Sequence, residues 1–207
     1  MSMLTLGVLA SGRGSNLQAI LSEMRAGRLA VRLGVVISNK KEAQALHHAK
    51  ECPSLFIDPA AYPTREDYDA ALLQTLQEHH ADLVVLAGYM RWVTSVLIAP
   101  YRNWIINIHP SLLPSFPGLH AQRQALAHGV KISGCTVHIV DETMDHGPII
   151  AQSAVAVRED DSETSLSDRI LEQEHRLLPE AIGAYVNGKI HLDGRRVWVG
   201  PLSGSES

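Results

Sequence analysis

Leu4-Thr5-Leu6-Gly7-Val8-Leu9-Ala10-Ser11-Gly12-Arg13-Gly14-Ser15-Asn16-Leu17 sets the pattern for the whole chain. Leu4 to Leu9 is an apolar run of strand length, and Ser11 to Asn16 is a glycine-rich turn. Leu17, Ile20, Leu21 and Met24 then recur at helical spacing. A strand passing through glycines into a helix is half of a βαβ unit, which implies a parallel sheet. The apolar start has no basic region before it, so it reads as a buried strand and not as a secretion signal.

The alternation continues outward. Val31 to Ile37 is a second strand, Ala43 to Glu51 a second helix and Ser54 to Ile57 a short strand. Arg65 to Glu78 is a third helix with Leu72, Leu73 and Leu76 on its apolar side. Leu83 to Leu86 is wholly apolar, as a central strand covered on both faces should be. Trp104 to His109 is a strand stopped by Pro110, and His120 to His128 is a helix. Strands follow at Cys135 to Val140 and Ile149 to Val157, and Ser165 to Val186 is the longest helix. Ile190 to Val199 reads as a hairpin about a type I′ turn at Asp193-Gly194. The class is therefore α/β with a mostly parallel sheet. No repeat or linker divides residues 1–207, so one domain is expected, with Ser203 to Ser207 as a frayed tail.

Composition narrows the function. With 45% hydrophobic and 19% charged residues the chain is globular, and a formal charge of −4 argues against general nucleic-acid binding. No apolar stretch reaches the roughly 18 residues of a membrane span. The lone cysteines, Cys52 and Cys135, fit reduced thiols. A cytoplasmic protein is the expectation, acting on small molecules as a monomer or homodimer.

The glycine turn lies where backbone N–H groups and a helix dipole receive anions, most often phosphate. Ser15 or Asn16 could cap the helix or bind the anion. It is not a dinucleotide fingerprint, since Leu17 takes the third glycine position, and no Gly-Lys-Ser/Thr makes it a Walker loop. A plain βα turn would use the same residues.

Ile106-Asn107-Ile108-His109-Pro110-Ser111-Leu112-Leu113-Pro114 carries the chemistry. Alternation puts Asn107 and His109 on one strand face, where burial is costly unless both have partners. Asn offers a donor to a developing oxyanion, and His moves protons near neutral pH. A hydrogen-bonded pair ordering the Pro110 to Pro117 loop is the structural alternative. Farther on, Asp145 stands in the polar loop after Val137 to Val140. If it returned to His109, its carboxylate would favour the protonated imidazole.

Ser-Gly-x-Gly-Ser-Asn-Leu-Gln-Ala, Asn-Ile-His-Pro-Ser-Leu-Leu-Pro, Phe-Pro-Gly-Leu-His and Asp-x-Gly-Pro-Ile-Ile resemble the glycinamide ribonucleotide formyltransferase family from about residue 4 to 190. The resemblance implies a Rossmann-like formyltransferase fold, with helices on both sheet faces and an antiparallel C-terminal part. It implies a phosphate-binding half to about residue 110 and a folate-binding, catalytic half over about 111–200. It makes 10-formyltetrahydrofolate the co-substrate and glycinamide ribonucleotide the acceptor, with no metal.

By the same resemblance Asn107, His109 and Asp145 are the catalytic set, Gly14, Ser15 and Asn16 hold the phosphate, and Glu174 holds the ribose. Carbonyls of Met90 and Pro110 orient the amine. Arg65, Met90, Arg91, Trp92, Val93 and the loop Val140, Asp141, Glu142, Thr143, Met144 and Asp145 receive the folate. Tyr89 and Trp92 are larger than the family pattern, and Gln122 stands where a second His is frequent.

The rivals are a deformylase, in which water attacks the same formyl group, and a non-catalytic nucleotide- or folate-binding module. By the same resemblance, deformylases carry an N-terminal regulatory domain and methionyl-tRNA formyltransferases a C-terminal extension, and neither is expected here. His47-His48 and His79-His80 read as exposed helical pairs, since neighbours on a helix point apart. His120 and His138 read as supporting residues, and Trp104 and Trp198 as packing.

Overall fold

The computed structural model describes residues 3–200, so the expected tail at Ser203 to Ser207 lies outside the described residues. In chain order the elements are β1 (Leu4–Ala10), α1 (Ser15–Arg25), β2 (Val31–Ser38), β3 (Ser54–Phe56), α2 (Arg65–Glu78), β4 (Leu83–Leu86) and α3 (Ser95–Ile98). Next come β5 (Ile105–His109), α4 (Ala121–Ala127), β6 (Ile132–Ile139), β7 (Ile149–Ala156), α5 (Glu163–Val186), β8 (Ile190–Asp193) and β9 (Arg196–Val199).

The first seven strands form one sheet in the order β3-β2-β1-β4-β5-β6-β7. From β3 to β5 every pairing is parallel, and β6 is antiparallel to both its neighbours. Strand order reverses between β1 and β4. The carboxyl ends of β1, β4 and β5 therefore meet at the crevice where open α/β sheets bind ligands. β8 and β9 make a separate hairpin.

Strand alternation divides the core into two layers. Leu6, Val8, Val85, Ile106 and Ile108 pack with Leu17 and Ile20 of α1 and Leu166, Ile170 and Leu178 of α5. Leu9, Val84, Leu86 and Ile105 face the other way, onto Tyr68, Leu72 and Leu76 of α2 and Leu97 of α3. Each fully buried leucine contributes about 1.5–3 kcal/mol. Helix starts follow local chemistry: Thr64 accepts from Asp67 N at the head of α2, and Ser162 forms a reciprocal capping pair with Ser165 before α5.

Four expectations change. The helix over Ala43 to Glu51 is only a 3-10 turn, Gln44–His47. The Ala45 amide goes to the Gly12 carbonyl at 3.2 Å, which ties the segment to the glycine loop, while Leu46 N to Ala43 O and His48 N to Ala45 O keep only the short bonds of a 3-10 turn. Neither histidine pair lies wholly within an α-helix: His47 ends the 3-10 turn and His79 caps the end of α2. His48 is half-buried and its Nε2 reaches the Arg13 carbonyl at 2.8 Å, while His80 has φ +53° beyond the end of α2. β6 begins earlier than Cys135, because Ile132 and Ser133 pair with Ala156 and Val155 of β7. The hairpin turn is Gly194-Arg195, since Asp193 pairs with Arg196; only Gly194 has positive φ, the type II′ pattern and not type I′. No helix among the described residues is long and apolar enough to cross a membrane.

Candidate active site

The turn after β1 leads directly into α1. Gly14 is the N-cap at φ +75°, and no side chain caps the helix. Ser15 and Asn16, expected as caps, instead form the first turn, which leaves their amides for a ligand. Glycine is required at position 14 twice over. The backbone is left-handed, and a Cβ would come within 2.7 Å of Ala45 Cα and 2.9 Å of His48 Cδ2.

Asn16 and Glu174 are both buried, and Asn16 Nδ2 donates to Glu174 Oε2 at 2.8 Å. Burial raises the Glu174 carboxyl above its usual range, and the Asn16 bond opposes that rise. Among the described residues Asn16 Oδ1 is buried without a partner. A polar group in that state invites a ligand donor.

Next to this helix start lies a cleft of about 610 Å³. Arg65, Met90, Arg91, Trp92, Val93, Asn107, His109, Pro110, Val140, Asp141, Thr143, Met144 and Asp145 all line it. Glu142 does not; it is exposed, with Arg102 at 3.4 Å. Gly14, Ser15, Asn16 and Glu174 form a separate cluster linked to the cleft through Ser11. Ser11 N donates to the Gly88 carbonyl, and Ser11 Oγ accepts from Met90 N at 2.7 Å. α2 holds the same segment from behind: Asp69 Oδ2 accepts from Thr94 N, and the Arg91 guanidinium lies 4.8 Å from the Tyr68 ring centre.

Of the departures from the family pattern, Tyr89 donates to the Tyr68 hydroxyl and Gln122 lines the cleft. Trp92 joins Met90, Leu119 and Met144 as large exposed apolar side chains at the cleft mouth.

Asn107 and His109 share a face of β5, opposite Ile106 and Ile108. The loop after β6 folds back and brings Asp145 to them. Its Oδ2 lies 3.4 Å from His109 Nδ1 and accepts from Gly118 N at 2.7 Å. Its Oδ1 lies 3.8 Å from His138 Nε2. The other His109 nitrogen, Nε2, meets the Phe116 carbonyl at 2.9 Å.

His138, cross-strand from Asn107, is more closely involved than the sequence suggests. Its Nδ1 faces the Ile139 carbonyl at 2.9 Å and so carries the hydrogen, which leaves Nε2 to accept from Asn107 Nδ2 at 3.1 Å. Burial lowers the His138 pKa and keeps the ring neutral for that bond. The second Asn107 N–H then remains for the cleft. Sequence reasoning also misses the Gly118 amide and the Phe116 carbonyl, because backbone groups leave no residue-type signal. The thiols of Cys52 and Cys135 are pushed up to about 11 and about 12 by burial, unsuited to nucleophilic work.

An open α/β sheet, an uncapped helix start at its switch point and an Asn-His-Asp cluster in the adjoining cleft define the class. The chain belongs to the formyl transferase family, which matches residues 5–182. It is similar to glycinamide ribonucleotide transformylase 1 from Symbiobacterium toebii, with 53% identity and a TM-score of 0.93 over 95% of this chain and 94% of that one. Phosphoribosylglycinamide formyltransferase of Escherichia coli (strain K12) is 37% identical over 194 residues, 93% of this chain and 92% of that protein. The trifunctional purine biosynthetic protein adenosine-3 of Drosophila melanogaster is 46% identical over 185 residues, which is 87% of this chain but only 14% of the length of the fly protein.

Proposed function

We propose that this chain transfers the formyl group of 10-formyltetrahydrofolate to the amine of 5′-phosphoribosylglycinamide, a step of de novo purine biosynthesis. The observation that carries the reading is the convergence of Asn107, His109 and Asp145 in a cleft beside an uncapped helix start. The ribonucleotide phosphate sits on the amides after Gly14, and its ribose hydroxyls donate to Glu174. The carbonyls of Met90 and Pro110 orient the amine. The folate enters past Arg65, between the apolar mouth residues and the Val140 to Asp145 loop, with its aromatic rings against Trp92 and Met90.

The amine lone pair attacks the formyl carbon, forming a C–N bond and an oxyanion. Asn107 donates its free N–H to that oxygen; His138, by occupying the other, fixes the direction. His109 exchanges the Phe116 carbonyl for the substrate, stabilises the same oxyanion and delivers a proton to the departing folate nitrogen as its C–N bond breaks. Asp145 orients His109, and the proton lost by the amine leaves through it or through water. His138 holds Asn107 in place before reaction, so that donor needs no reorganisation as charge develops.

Following folate release from 10-formyltetrahydrofolate, with and without the ribonucleotide, tests the reading. Release that requires the ribonucleotide and yields formylated product supports transfer. Release into water alone would make the protein a hydrolase, and binding without release a non-catalytic module.

A further inference from the structure

We propose that Arg195, in the turn of the C-terminal hairpin, is a positioning residue for Asp145. The inference rests on the role given to Asp145 above. Asp145 is a non-glycine residue at φ +51°, a conformation that persists only where surrounding contacts hold it. Three ties around it are visible. On its own side chain, Gly118 N donates to Oδ2 at 2.7 Å. On the far side Gly147 is packed so closely that a Cβ would run into the Ile139 carbonyl, which pins the end of the loop to β6.

The third tie comes from outside the sheet. Arg195 Nη2 donates to the carbonyl of His146, the residue after Asp145, at 2.6 Å, and Nη1 lies against the His146 ring. His146 in turn meets Asp141 Oδ2 at 2.9 Å, which closes the loop upon itself. β8 and β9 add nothing to the main sheet, yet β9 packs beside β7 and brings the turn over this loop. A carboxylate that must lie within hydrogen-bond reach of His109 is sensitive to small displacements, and a misplacement of ~1 Å can cost as much as ~10²-fold in rate. Arginine suits the task because its planar fork reaches a carbonyl and a ring edge together.

Steady-state kinetics and thermal melting of Arg195→Ala, Arg195→Lys, His146→Ala and Asp145→Asn test this. For Arg195→Ala the expected result is a kcat about 10-fold lower, with the ribonucleotide KM and the melting temperature unchanged. Lysine at 195 can still donate to the carbonyl and should recover most of the rate. His146→Ala keeps the backbone carbonyl and should lose less than Arg195→Ala. Wild-type kcat in Arg195→Ala beside an inactive Asp145→Asn would overturn the inference and leave the formyl-transfer reading intact. Full activity in Asp145→Asn would instead remove the role of Asp145 itself. An equal loss in His146→Ala and Arg195→Ala would route the contact through the ring and refute the backbone tie.

Discussion

The helix start at Gly14 to Asn16 and the cleft floor at Asn107, His109 and Asp145 lie at the same end of the sheet but are built in opposite ways. The first is made from consecutive residues and their backbone amides, with Glu174 as a distant side-chain partner. The second draws side chains from β5, β6 and the loop beyond β6, and three of its contacts exist only because the chain returns on itself. A site made of backbone should tolerate side-chain changes and fail with the wrong φ. A site made of converging side chains should do the reverse.

The largest expected effect is at the cleft floor. Asn107→Ala and His109→Ala should each lower kcat by at least ~10²-fold, the usual loss on removing a preorganised donor, with folding retained. Rapid-quench turnover measurements check this, and near-normal rates in both would remove the oxyanion assignment. At the other site, Gly14→Val should destabilise the protein and raise the ribonucleotide KM, because left-handed backbone and the Ala45 contact both oppose a side chain. Ser15→Ala, which leaves the backbone alone, should bind ribonucleotide far better than Gly14→Val. If the two variants bind equally badly, the hydroxyl and not the amides holds the phosphate.

Glu174→Gln probes the long-range hydrogen-bond partner of Asn16. Burial raises the Glu174 carboxyl, so its ionised form opposes folding, and the stability it contributes is lost as pH rises through the raised value. The neutral isostere should therefore melt at the same temperature or a few degrees higher near pH 7, at about 2–4 °C per kcal/mol, while the ribonucleotide KM rises. A lower melting temperature would mean the carboxylate supports the fold. The smallest effect is at His138. Its pKa is lowered, so its contribution is complete above the usual histidine value of about 6.5 and is lost as pH falls toward the lowered value. Melting between neutral and mildly acid pH should show that loss in wild type and not in His138→Asn.

The same contrast explains what the sequence made legible. β4 and α2 begin and end where the sequence places them, at Leu83 and Leu86 and at Arg65 and Glu78, because their signals are local. The glycine turn and the shared face of Asn107 and His109 were readable for the same reason. The return of Asp145 to His109 was an expectation that no local pattern could secure; it depends on packing such as Gly147 against Ile139. The segment at Ala43 to Glu51 has helical spacing, yet it gives its amide to Gly12, a tertiary bond that propensity does not register. α3, at Ser95–Ile98, is too short to show a period. His138 looked like a supporting residue because the Asn107 amide reaches it only across the β5–β6 pairing.

The most direct test is a double-mutant cycle on formyl transfer with Asn107→Ala, Asp145→Asn and the two combined, both substrates saturating. If the two segments serve one tetrahedral intermediate, each single change should be severe, and the double variant should be much less impaired than the product of the two losses. Losses that multiply would mean that the two segments act independently, against a shared intermediate, and an Asp145→Asn enzyme turning over at the wild-type rate would mean that the contact between Asp145 and His109 orders a loop and takes no part in the chemistry.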